Sequence, residues 1–228
     1  AQDFAAGEES YAVRNANGTG PYMLVERDPE VRTVLQVFEG HWDDAPQVTE
    51  IIYPPIAEAA TRVAALLSGE VDIVQDVPVQ DIQRLEQTDG IKVEFGPENR
   101  VIFFAYDMGS EDLLTASVEG NPFANPLVRE AMHLAVDRDA IRQVVMRGQS
   151  LPTGVTMPPF VNGWTTDLDA YDAPDIARAQ ELMAEAGYAD GFTVDLHTPN
   201  DRYLNDEAIS QALVGMLARI GINVNLVS

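Results

Sequence analysis

The 228-residue sequence predicts an α/β fold, and three observations carry that expectation. Segments of strand and helix character alternate along the whole chain. Behind a helix-like run over 57–67, Ser68-Gly69-Glu70-Val71-Asp72-Ile73-Val74 reads as a glycine stop and a short buried strand, opening into polar Gln75-Asp76. Towards the end, strand, helix and strand follow one another over 192–227. A crossover of that length implies parallel pairing and a right-handed connection.

Residues 1–17 are polar and read as a loop, closing on Asn17-Gly18-Thr19-Gly20-Pro21-Tyr22, a tight turn feeding a strand. Strands are expected at 22–26, 31–38 and 49–53, the second alternating Val31, Thr33, Leu35 and Val37 on one face. A helix follows over 57–68, with Ala60, Val63, Ala64 and Leu67 inward and Gly69 as its stop. After the strand at 71–75, Pro78 opens a short helix to Leu85. Further strands are expected at 91–95 and 101–106.

The loop over 107–123 leads to Asn125, which can cap a helix whose first residue is Pro126. Asp137 can cap a second, so 126–147 divides into two helical segments. Residues 149–171 are rich in Pro, Gly and Thr and read as a long surface connection. Asp172 is expected to cap a helix with Ile176, Ala179, Leu182, Met183 and Ala186 inward, ended by Gly187. A strand at 192–197, a helix carrying Ile209, Leu213, Met216, Leu217 and Ile220, and a strand at 222–227 complete the chain. No repeat of fixed period is evident.

With 46% apolar residues the chain can bury a real core. Acidic residues number 37 against 14 basic, for a net charge of −23. The excess is even, since residues 1–106 hold 19 acidic and 7 basic side chains and residues 107–228 hold 18 and 7. Nucleic acid and anionic membrane are therefore poor partners, because phosphate contacts need clustered Lys and Arg. The absence of cysteine excludes disulfides, thiolate metal sites and cysteine nucleophiles. No run of 18 apolar residues occurs. The opening Ala1-Gln2-Asp3 shows neither a signal peptide nor an obvious processed end, and the chain stops within a forming strand at Ser228. Both ends read as cut.

Catalytic patterns fail on spacing. His41, His133 and His197 lack the i, i+4 pairing of a helical zinc site, and His133 reads as a partly buried, hydrogen-bonded side chain. No serine sits in a Gly-x-Ser-x-Gly elbow. Gly18-Thr19-Gly20-Pro21 lacks the third glycine and following helix of a dinucleotide loop. Asp43-Asp44, Asp167, Asp169 and Asp172 lack the 12-residue calcium pattern and read as turn residues and caps. The expectation is no enzyme and no cofactor.

A small polar set at expected strand ends stands out instead. Gln75 and Asp76 follow one strand, while Glu98, Asn99 and Arg100 precede another. A guanidinium at the lip of a sheet suits bidentate capture of a carboxylate. The competing reading of Arg100 is an ion pair with Glu98 or Asp76.

Five strings, in order, then resemble one family. They are Gly18-Thr19-Gly20-Pro21-Tyr22, the segment from Ala60 to Asp72, Asn125-Pro126-Leu127-Val128-Arg129-Glu130-Ala131, Asp137-Arg138-Asp139-Ala140-Ile141 and Leu182-Met183-Ala184-Glu185-Ala186-Gly187-Tyr188. The sequence resembles the family 5 extracellular solute-binding proteins, the peptide, dipeptide and nickel receptors of ABC importers, from about Asn17 to Ser228. The resemblance implies a periplasmic binding protein-like fold, with this chain an internal part of two α/β lobes that close on solute. Residues 1–106 would be the middle of the first lobe and 107–228 the opening of the second, with a hinge near Tyr106. It implies a periplasmic or lipid-anchored receptor for small peptides or similar polar solutes, partnered by permease subunits. Ligand-lining positions would fall at Gln75, Asp76, Glu98, Arg100 and Ala105. Gln75 and Arg100 stand where peptide binders place aromatic or neutral side chains. The same fold also serves as a sensor domain in receptors and regulators.

Overall fold

The computed structural model describes residues 9–96, 98–200 and 202–228, and the chain divides into two compact units, one ending at Ile73 and the other beginning at Val74. Part of the loop expected over 1–17 lies outside the described residues; within the rest, Ser10 caps one turn of helix, α1 (Tyr11–Arg14).

In the first unit, β1 (Tyr22–Asp28), β2 (Arg32–Val37) and β3 (Glu50–Tyr53) form an antiparallel sheet in that order. A bulge between Leu24 and Glu26 breaks the β1–β2 register. Alternation along β2 defines its two faces but not which is covered. Val34 is the buried residue, opposite the face of Thr33, Leu35 and Val37. Helix α2 (Ala59–Ser68) ends as the glycine requires, with Gly69 at φ +75° and its N–H on the Ala65 and Leu66 carbonyls. Its buried residues are Val63 and Ala65, whereas Ala60, Ala64 and Leu67 are exposed. Apolar residues surround this helix, so periodicity could not choose a face and packing did.

In the second unit, the short helix expected from Pro78 begins later, as α3 (Ile82–Glu86), which inserts the fully buried Leu85. The segments 71–75, 91–95 and 101–106 form no strand. A strand exists only by pairing, and these segments find no ladder partner among the described residues. Helix α4 (Pro126–Ala135) starts at the expected cap, Asn125 accepting from the Leu127 N–H at 3.0 Å. Asp137 likewise caps α5 (Arg138–Ala140), which widens into a π-helical turn over Ile141–Val145.

Helix α6 (Ile176–Glu185) is capped by Asp175, not Asp172, and the Asp175 carboxylate accepts from the Arg178 N–H at 2.9 Å. Pro174 explains the shift, because proline forces the residue before it out of helical geometry. The parallel strands β4 (Phe192–His197) and β5 (Ile222–Val227) are joined by α7 (Asp206–Ala218).

Val128, Ala131 and Ala135 of α4 meet Ala179, Leu182 and Met183 of α6, while Phe192, Val194, Leu217 and Ile222 close the core. An aromatic chain crosses it: Tyr106, Phe123, Phe192 and Tyr188 stand at successive centroid distances of 5.4, 6.1 and 5.4 Å. Burial pushes the Tyr106 phenol above its ordinary pKa.

Candidate functional site

Carboxyl ends of parallel strands, where a crossover helix begins, are where open α/β sheets hold ligands. Beyond β4 the Thr198 N–H still reaches the Val227 carbonyl at 2.9 Å, and its hydroxyl lies 2.7 Å from that of Ser210. The chain then turns through 202–205 into α7. The carboxylate of the buried Asp206 accepts the N–H groups of Arg202 and Tyr203 at 3.0 Å each and of Glu207 at 2.8 Å. These three donors satisfy a charge that burial alone would disfavour. Asn205, at φ +57°, donates its side-chain amide to the Val145 carbonyl at 2.9 Å and ties the turn to the π-helical segment.

That turn presents Tyr203 between two arginines. Arg202 donates its Nε to the Tyr203 hydroxyl at 2.9 Å, its Cζ 5.4 Å from the ring centroid. Arg100 places its own Cζ 5.8 Å from the same centroid. Glu98 holds the Arg100 Nε at 3.3 Å, so the ion pair expected as the competing reading forms. Both partners are partly exposed, and such a pair contributes little, about 0–1 kcal/mol. Among the described residues the Arg202 guanidinium has no carboxylate partner.

The structure therefore brings two of the six sequence-selected residues, Glu98 and Arg100, into this cluster. Asn99 and Ala105 are exposed beside them in the chain, and no hydrogen bond, ion pair or ring contact ties them to Arg100. Gln75 and Asp76 are exposed in a bend, Asp76 at φ +55°. Arg202 and Tyr203 were missed by the sequence reading. The signal was present, since they lie in the loop that leaves the expected strand at 192–197 and leads into the next helix.

A second cluster surrounds His133. Arg138 donates its Nη2 to His133 Nδ1 at 3.1 Å and lies over the Tyr171 ring at 5.1 Å. The imidazole is half-buried and hydrogen-bonded, as read from sequence. Burial, with the Arg138 charge adding to it, holds its pKa below the ordinary histidine value. Asp169 accepts from the Thr153 hydroxyl and the Gly154 N–H, bracing the long connection. Among the described residues no group of three or more His, Asp or Glu side chains could hold a metal ion, and no helix is long and apolar enough to cross a membrane.

The fold is that of periplasmic binding proteins. A Pseudoalteromonas dipeptide-binding protein in complex with Met-Leu matches with a TM-score of 0.74 at 26% identity, covering 92% of this chain and 40% of that one. The family of bacterial extracellular solute-binding proteins, family 5 (middle), matches residues 2–228, and the chain belongs to it. It is 28% identical to the glutathione-binding protein GsiB of Pectobacterium atrosepticum over 211 residues, covering 92% of this chain and 38% of that protein. To the dipeptide-binding protein of Escherichia coli it is 27% identical over 217 residues, covering 94% and 38%. The chain thus spans well under half the length of these relatives, all of which are binding proteins.

Proposed function

We propose that this chain is part of the periplasmic substrate-binding component of an ABC importer, a non-enzymatic receptor for peptides or similar small polar solutes. Its relatives are named for glutathione and dipeptide binding, which supports that ligand class. In this reading residues 1–106 belong to the first lobe and 107–228 to the second, with Tyr106 at the seam. Gln75, Asp76, Glu98, Asn99, Arg100 and Ala105 line the first lobe's side of the cleft. Solute is captured between the lobes, and its binding energy favours the closed state over the open one before delivery to the permease subunits.

The observation that carries the reading is the approach of Arg100 to Tyr203 at 5.8 Å. The two residues come from opposite sides of the proposed seam and meet beyond the carboxyl end of β4, where a bound solute would touch both. Calorimetric titration of the full-length protein with a dipeptide library tests it. Micromolar or tighter binding is expected, and absence of binding to any peptide overturns it. The 228-residue chain alone, holding only part of each cleft wall, is expected to bind weakly or not at all.

A further inference from the structure

We infer that the Arg100–Tyr203–Arg202 cluster is an anion subsite that takes a carboxylate of the solute. The inference rests on the reading above and names the ligand chemistry of that site. In a chain of net charge −23 with only 14 basic residues, two guanidiniums gather around one ring. Among the described residues, the one carboxylate paired with either guanidinium is the partly exposed one of Glu98, on Arg100. Among the described residues the Arg202 guanidinium gives only its Nε, to the Tyr203 hydroxyl, which leaves its other donors for a ligand. That bond fixes the plane of the fork, so little rotamer freedom is lost when a carboxylate docks on it.

The Tyr203 ring supplies a wall that limits water on one side, which strengthens a charge-assisted hydrogen bond. Glu98 is the placeholder. A surface ion pair this weak is exchanged for a ligand carboxylate at small cost, leaving the charge count around Arg100 unchanged. Backbone donors do not compete for the anion, because the N–H groups of Arg202 and Tyr203 are taken by Asp206.

The test is titration of the full-length protein with an equimolar dipeptide library and with the same library amidated at its carboxyl end. Tighter binding of the acids, by about tenfold or more, is expected, the scale of one charge-assisted hydrogen bond. Arg202→Gln is expected to remove most of the preference for the acids over the amides, Arg100 keeping the remainder. Thermal melts of the variant check that the fold is intact, and Tyr203→Phe, which keeps the ring but frees the Arg202 Nε, is expected to give an intermediate loss. Equal affinity for acids and amides, or Arg202→Gln without effect on a folded protein, overturns the inference while the peptide reading stands. No binding of either library overturns the peptide reading, and this assignment with it.

Discussion

Gly191 and Gly221 lie against each other at the amino ends of β4 and β5. The Gly221 carbonyl accepts the Phe192 N–H at 3.1 Å and opens the parallel ladder. A Cβ on Gly191 would collide with that carbonyl, and Gly191 also sits at φ +71°. Gly191→Ala is therefore expected to destabilise by at least about 2 kcal/mol, of which backbone strain alone gives roughly 1–2. Gly187→Ala, at φ +89° with open space around its Cβ, is expected to show the strain and nothing more. Urea unfolding of the two variants separates clash from strain; equal losses would show that the close approach is unimportant.

The cap of α6 gives a second expectation. Asp175→Ala removes the acceptor of the Arg178 N–H and is expected to cost about 1 kcal/mol, whereas Asp172→Ala is expected to stay within about 0.5 kcal/mol. Denaturant midpoints of the pair decide between the two aspartates.

Burial can be read from two leucines. Leu182 is 0% exposed in the core and Leu114 is fully exposed. Leu182→Ala is expected to lose about 2–5 kcal/mol, Leu114→Ala next to nothing. A large loss at Leu114 would mean that the surface around it is covered in solution.

His133 makes stability depend on pH in one direction. Its folded pKa lies below the unfolded value, so the unfolded chain binds the proton more readily. Stability from this group is complete above the ordinary histidine pKa and declines as pH falls through it towards the depressed folded value. His133→Gln is expected to flatten the unfolding midpoint between about pH 7.5 and 5.5 relative to the parent. Titration of the His133 ring signals by NMR, giving an ordinary or raised pKa, would refute this.

Much of the fold was legible where local chemistry suffices. Glycines 191 and 221 bound two alternating segments, and β4 and β5 form over the residues expected, in the parallel arrangement that the crossover demands. Asn125-Pro126 and Asp137 mark helix starts because capping is decided within four residues. What needed a partner was not legible. The segments 91–95 and 101–106 have strand composition, but pairing belongs to two segments at once. The same limit hid half of the site. Arg100 and Glu98 stood together before a segment expected as a strand, their ion pair one of two competing readings, whereas Tyr203 joins them from about a hundred residues away along the chain.

The way Asp206 clamps its own turn has an evolutionary corollary. Under the anion-subsite assignment, with the main-chain amides engaged by an internal acid, charge preference would rest on side chains alone: Arg202 and Tyr203 on the braced turn, and Arg100 beside it. Exchanging those side chains would then switch the preferred solute from acidic to neutral or basic without reshaping the backbone beneath, so that receptors built on such a frame would diverge in diet through a few codons.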